Sequence, residues 1–348
     1  MVDSLRRAAR SARLLTALAA LAACTSDDVV APGAALAEGT MTVDARTGWA
    51  YVRLADSARV VPTPSARESD AWDIAFFATN VTLNGGEAGP GGVTGACLCQ
   101  NRATNPTTAQ WLAMTAASER AEFDTVTRAP TTLAFQSDRL TPAITGWFTG
   151  SGTAAVAAPD SLIYVRLADS SGIAKLRVTS IDAATATSAG RVTIEYAIAA
   201  NGAASFGANR TATLDGRTGP VAFDLETGQP TTIATAWDLR LDGFALLVNG
   251  GVSGPGRGGA ARVRTTTFAA GTPANSSPNA FRIDAFSGVF GAQRYWNYNL
   301  ANDFRVTPTF DVYFVRRGAR TWKIQVIDYY SPTGEARWIT FRYAPVAG

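Results

Sequence analysis

The chain contains one segment twice, and that repetition limits the fold more than any other feature. Trp72-Asp73-Ile74 leads to Asn84-Gly85-Gly86 and Gly89-Pro90-Gly91, while Trp237-Asp238-Leu239 leads to Asn249-Gly250-Gly251 and Gly254-Pro255-Gly256, every spacing kept at an offset of 165. Farther on, Trp147 answers Trp296 at an offset of 149, and Leu162 to Arg166 answers Asp311 to Arg316. Ala174 to Val178 answers Trp322 to Val326, which puts the only two lysines, Lys175 and Lys323, at one repeat position. Val192 to Tyr196 answers Trp338 to Tyr343. Two tandem copies of one domain follow as the expectation, at residues 45–205 and 206–348, in keeping with a length at which single cores stop growing.

The matched segments alternate apolar and polar residues, as in Lys323-Ile324-Gln325-Val326-Ile327-Asp328-Tyr329, a period of two that predicts strands with one buried and one wet face. Asn84-Gly85 and Asn249-Gly250 predict tight hairpin turns, and Pro332-Thr333-Gly334 another. The fold class is therefore all-β, β-rich with a minor helix, built from antiparallel sheets. The helix is expected within residues 107–123, where Thr107 and Gln110 form a capping box after Pro106 and Trp111, Met114 and Ala117 share a face.

At the amino end, Arg6, Arg7, Arg10 and Arg13 precede the apolar run Leu14 to Leu21, too short to span a bilayer, and read as a signal peptide over residues 1–23. Leu21-Ala22-Ala23-Cys24 resembles the bacterial lipobox, so lipidation of Cys24 is expected, with residues 24–44 as a tether. Several acyl chains, each contributing about 0.8 kcal/mol per buried CH₂, make such an anchor stable. Thr25 and Ser26 after the cysteine direct the expectation to the outer membrane or cell surface. Residues 1–23 hold four of the 31 basic and one of the 28 acidic residues, so the remainder carries 27 of each. The basic pI belongs to the signal and gives no support to nucleic-acid binding.

Trp72-Asp73-Ile74-Ala75-Phe76, the Asn-Gly segment after it and the lysine-bearing strand before a closing Phe/Tyr strand resemble the HmuY family. The resemblance implies two tandem HmuY-like antiparallel β domains, a surface lipoprotein, haem as the ligand class and an outer-membrane receptor as partner. The family's haem-binding type grips iron through two histidines, and related members use methionines. This chain has no histidine. Of its three methionines only Met114 lies well within a domain, which makes it the one candidate haem ligand, although a methionine at helical spacing from Trp111 ordinarily fills a core.

The copies differ in length: Gly92 to Trp147 spans 55 residues where Arg257 to Trp296 spans 39. The 16 extra residues bracket Cys97-Leu98-Cys99 and the Trp111/Met114 segment, so a specialised surface is expected in the first copy. Once Cys24 is lipidated, Cys97 and Cys99 remain as an even pair in an oxidising compartment, suited to a disulfide. In an extended strand their separation of about 6.6 Å lies near the upper limit for bridging, so a bend is needed, which Gly91, Gly92 and Gly95 can supply. Free thiols and a thiolate site for metal or haem iron are the alternatives.

Tyr295-Trp296-Asn297-Tyr298 has the aromatics to stack on a porphyrin or a sugar, yet the match of Trp296 to Trp147 favours packing. Gly254 to Gly259 lacks the Gly-Lys-Ser/Thr ending of a phosphate loop. Without histidine there is no conventional triad, and Asp73 and Asp238, at one repeat position, read as sheet-edge caps rather than a catalytic pair. No enzyme and no metal site are expected. The functional expectation is a ligand-binding, haem-acquisition-like surface lipoprotein without bis-histidine ligation; the alternative is a structural or partner-binding envelope lipoprotein.

Overall fold

The computed structural model describes residues 38–264, 267–277 and 280–347. Among them strands dominate, and the α-helices are three short ones, Thr108–Ala113, Arg120–Thr125 and Val289–Ala292. The strand ladders are antiparallel, as the alternating pattern predicts. The signal segment and Cys24 lie outside the described residues.

Two five-stranded sheets are built alike. One runs Gly39–Asp44, Ala336–Val346, Arg320–Tyr330, Val312–Arg317, Thr94–Cys97; the other runs Arg210–Asp215, Arg191–Ala200, Gly172–Asp182, Leu162–Arg166, Gly259–Val263. Position by position these strands are repeat partners, but each sheet draws on both copies. Gly39–Asp44, expected in the tether, is instead the edge strand of this sheet; it and Thr94–Cys97 of the first copy join the closing strands of the second, with Val43 opposite Ile339 and Phe314 opposite Ala96. The second sheet makes the reciprocal choice, pairing Ile194 with Ala212 and Tyr164 with Ala261. The expected boundary between residues 205 and 206 falls in the connection between two paired strands, Arg191–Ala200 and Arg210–Asp215.

Each five-stranded sheet shares a core with a four-stranded one, Ala58–Val60, Ala50–Arg53, Ile74–Phe77, Asn80–Leu83 in the first case and Gln229–Pro230, Val221–Asp224, Leu239–Asp242, Ala245–Val248 in the second. The first core unites Val43, Ile74, Phe76 and Leu83 with Trp322, Ile324, Ile339 and Phe341, and Phe76 stacks on Phe341 at 5.1 Å between ring centroids. The second is drawn wholly from the middle of the chain, from Ile144 and Trp147 to Leu246, Val248 and Ala260. Each fully buried side chain of this size contributes about 1.5–3 kcal/mol, so neither copy completes a core unless the other is folded.

The one-face-wet expectation fails for the central strands. Leu162 to Val165 and Val312 to Val315 are buried on both faces, because the segment carrying Phe123, Ala129 and Leu133 roofs the outer face of one sheet and that carrying Phe268 and Phe281 roofs the other. The polar residues of the alternating pattern therefore meet a roof instead of water. Lys323 Nζ donates to the carbonyl oxygens of Phe123 and, at 2.9 Å, Val126, with the ammonium 4.3 Å from the Phe123 ring centre. Lys175 repeats this on Phe268, donating to its carbonyl at 3.2 Å and lying 4.6 Å from its ring. The cost of burying an ammonium is offset by such carbonyl acceptors and ring faces, and Arg342 meets the Phe123 ring and Ala116 O in the same way.

Two local expectations need correction. The hairpin turns lie at Ala78 (φ 51°) and Gly243 (φ 59°), not at the Asn-Gly pairs. Asn84 is instead a buried hub: its Nδ2 donates to Ser69 O and Trp72 O at 2.9 and 2.8 Å, and its Oδ1 accepts from Gly91 N at 3.0 Å. Asn249 likewise binds Trp237 O and Gly256 N at 2.8 and 2.9 Å. A Cβ on Gly89 or Gly254 would come within 2.1 Å of the asparagine Oδ1, so the Gly-Pro-Gly loop is glycine because it wraps a side chain. The expected helix is two helices. The capping box of Thr107 and Gln110 starts Thr108–Ala113, but Thr115 and Ser118 then exchange side-chain-to-backbone bonds of 2.9 and 3.0 Å, a local alternative to helix that breaks the run before Arg120–Thr125.

Three buried carboxylates fasten loops. Asp238 accepts from Ala168 N and Leu225 N at 2.8 and 3.0 Å, Asp284 from Ala143 N and Val248 N at 2.7 and 3.0 Å, and Asp138 from Thr82 Oγ1 and Leu83 N at 2.6 and 2.8 Å. Burial outweighs these bonds and pushes Asp138 and Asp238 each up to about 6.

A protease site placed in the 201–209 connection should yield fragments that co-elute on gel filtration under native conditions and part only in denaturant. Fragments that separate without denaturant would exclude crosswise pairing. A raised carboxylate pKa means that the native state holds its proton to higher pH than the unfolded chain does, so stability should fall as pH rises from about 4 to about 6 and then level. Each such group contributes on the order of 2 kcal/mol to that fall. Denaturant melts across this range check the sign, and Asp138→Asn, neutral throughout, should flatten the slope.

Candidate functional site

The extra residues of the first copy build one wall of a cleft. Its strand ends at Cys97, and the 3₁₀ turn Leu98–Asn101 bends the chain so that Cys99 returns to Cys97 with their Cα atoms 5.1 Å apart and their sulfurs joined. The bend the sequence requires comes from this turn rather than from the preceding glycines. Gln100 clips the turn down by exchanging bonds of 3.2 and 2.9 Å with the Ala134 backbone. Beyond it the capped helix Thr108–Ala113 presents Trp111.

The opposite wall belongs to the second copy. Tyr295 is buried in the first core and donates to Ala78 O at 3.3 Å, while Trp296 is half-buried and donates through Nε1 to Thr79 O at 3.2 Å. The short ladder of Trp296–Tyr298 with Val306–Pro308 holds this wall flat. Trp147 is buried in the second core, so Tyr295 takes the place in the first core that Trp147 takes in the second, and Trp296 is freed to face the opening. The sequence match of Trp296 to Trp147 is thus one residue out of step with their packing.

Between the walls lies a cleft of about 830 Å³, lined by Cys99, Arg102, Trp111, Gln293, Trp296, Asn297 and Asp311 among others. Arg102 forms an ion pair with Asp311, 209 residues away, and its guanidinium lies 5.6 Å from the Trp111 ring centre. Burial raises the Asp311 pKa, opposed by the Arg102 charge, and burial likewise raises that of Glu122 nearby. Arg294 covers Trp296 at 5.2 Å. Gln293 Oε1 and Asn297 Nδ2 are buried without a hydrogen-bond partner among the described residues. Buried polar atoms are rarely left so in a finished protein surface.

Of the residues singled out by sequence, Cys97, Cys99, Trp111 and Trp296 meet at or beside this cleft. Met114 caps the helix end, half-buried, and does not line it. With the two sulfurs joined, neither is a thiolate for metal or haem iron. Asp73 and Asp238 sit in separate cores; Asp73 accepts from Leu54 N at 2.7 Å and Arg317 at 3.0 Å, as sheet-edge caps do. Arg102 and Gln293 carry no signal in the sequence, and Asn297 and Asp311 stand there only within the aromatic segment and the repeat, since their neighbourhood exists only after the copies cross. Among the described residues no helix is long and apolar enough to cross a membrane.

The fold and cleft describe a β-rich protein with a ligand-sized opening. The family model described as HmuY protein matches residues 45–196 of this chain. No curated protein matches it. Among solved structures it is similar to a Bacteroides fragilis lipoprotein (13% identity, TM-score 0.33, covering 89% of this chain and 92% of that one). It is also similar to an apo HmuY analog of Tannerella forsythia (11% identity, TM-score 0.28, covering 90% and 97%). Likenesses at these TM-scores bear on neither the site nor its ligand.

Arg102→Ala should leave the Asp311 carboxyl buried without its partner and destabilise the protein by about 1–3 kcal/mol. A denaturant midpoint unchanged from the parent at pH 7 would show that the pair contributes nothing.

Proposed function

We propose that this chain is an exported, lipid-anchored binding protein of the cell surface, HmuY-like in build, which captures a small ligand in the Trp111/Trp296 cleft and performs no chemistry on it. The cleft is the observation that carries the reading: its volume lies in the range of small-molecule sites, and polar side chains from both copies line it beside Trp111 and Trp296. The lipobox at Cys24 and the family match over residues 45–196 support the same reading.

Haem is the ligand that the family suggests, and the residues of the cleft do not fit it as an iron ligand set. There is no histidine, Cys99 is bonded to Cys97, Met114 lies outside the lining and Asp311 is held by Arg102. Haem-type acquisition therefore lacks the family's histidine or methionine grip here, and ligand capture is the part of the family's behaviour that the cleft supports. The second reading, a structural or partner-binding envelope lipoprotein, draws on the exposed Tyr298 at the cleft rim.

The full chain expressed in a bacterial host should incorporate radiolabelled palmitate, and Cys24→Ala should not; equal labelling of both would sink the anchor. Haemin added to residues 25–348 should keep the spectrum of free haemin. A saturable Soret shift abolished by Met114→Ala would overturn the exclusion of iron ligation.

A further inference from the structure

A second cavity, of about 520 Å³, shares no lining residue with the Trp111/Trp296 cleft and stands independently of the reading of that cleft. It lies at the end of the other five-stranded sheet, between the connection 200–204, the start of Gly172–Asp182 and the roof at Pro273 and Phe281. Its walls are fixed in advance. Asn201 donates through Nδ2 to Ser170 O at 2.6 Å and through its backbone to Ser171 O at 3.0 Å, while Asn275 Oδ1 accepts from Thr272 N at 3.0 Å and holds the turn Pro273–Asn275. The volume is that of a small-molecule site. Ile173, Ala200, Ala203, Ala204, Pro273 and Phe281 make the sides apolar, no acidic residue lines them, and Arg166 is the one charged lining residue. The side-chain donors of Asn201 and Ser276 are already committed, the latter to Pro273 O at 2.7 Å.

Arg166 is half-buried, and burial pushes its pKa down with no carboxylate to oppose the shift. Its Nε donates to Arg257 O at 2.6 Å; its two Nη atoms bond nothing among the described residues and are open to solvent. The matching repeat residue, Arg316, is engaged differently. It faces Thr321 across its ladder, donates through Nε to Thr321 Oγ1 at 3.4 Å and lies 3.7 Å from the Phe135 ring centre. Opposite Arg166 stands Ile173, which offers no oxygen, and the Phe281 ring centre is 5.6 Å away. One sheet thus ties its guanidinium to the protein, and the other leaves it beside an apolar cavity. A half-buried charge in such surroundings is stabilised by a ligand that brings the counter-charge, and the planar guanidinium fork matches a carboxylate in two parallel bonds. One positive charge balances one negative: a dianion would leave excess charge against apolar walls, and an ammonium would find no acid there. We infer that this cavity binds a monocarboxylate with an apolar body, the carboxylate on Arg166 and the chain against Ile173, Ala204 and Phe281.

The test is calorimetric titration of residues 25–348 with octanoate and decanoate, beside octanol, octylammonium and octyl phosphate. Octanoate or decanoate should bind at one site per chain with a dissociation constant of about 1 mM or tighter, octanol about tenfold or more weakly and octylammonium not measurably. Arg166→Met, which keeps an apolar stem and removes the charge, should weaken the carboxylate about tenfold or more. Ala204→Trp, at an exposed position whose new side chain fills the cavity, should abolish binding, and both variants should keep the melting temperature of the parent. No carboxylate binding at ten times that concentration, octanol binding as tightly as octanoate, or an affinity that both variants leave unchanged overturns the assignment. Octyl phosphate binding more tightly than octanoate overturns the carboxylate as the ligand group.

Discussion

Everything in this protein depends on the pairing of Gly39–Asp44 with Ala336–Val346 and of Arg191–Ala200 with Arg210–Asp215. These ladders close each five-stranded sheet with a strand from the other copy. Backbone hydrogen bonds along a ladder are worth only about 1 kcal/mol each net, yet they fix the register that brings Val43, Ile339 and Phe341 into one core. A slip by one residue would turn those side chains to the roofed face and set polar ones among the apolar. The two copies are therefore not beads on a string: the halves of each are separated and rejoined with complementary halves.

The same crossing makes the polar ties long-range. Lys323 of the second copy holds Phe123 of the first, Lys175 of the first holds Phe268 of the second, and Asp238 reaches back to Ala168. Each is a buried polar group satisfied by a backbone group from the other copy, so its desolvation is offset only when both copies are folded. Cooperative unfolding of the whole chain is the physical consequence, and it sets a rigid frame beneath the cleft.

Divergence between the copies acts on that frame. The extra residues of the first copy lie against residues 291–298 and 309–311 of the second, and the cleft exists because an insertion in one copy meets a wall in the other. A disulfide over two residues, a clip by Gln100 and a capped helix of six residues are modest devices singly. Together they hold Trp111 opposite Trp296 without needing a core of their own, and the ion pair of Arg102 with Asp311 ties the two walls.

The sequence by itself determined the repeated segments, the antiparallel β build, the capping box at Thr107 and the pairing of Cys97 with Cys99 as the favoured state. Those signals are local, or copies of one another, and periodicity and spacing are local properties. It did not reveal that Asn84 and Asn249 are hubs instead of turns, because a side chain wrapped by a Gly-Pro-Gly loop spells the same letters as a hairpin. Nor did it show that the lysines point at a roof, that Tyr295 rather than Trp296 matches the packing of Trp147, or that Arg102, Gln293, Asn297 and Asp311 share a cleft. Only the tertiary structure decided these, since each depends on which copy a strand pairs with, and two nearly equivalent edges leave that choice to packing across the whole molecule.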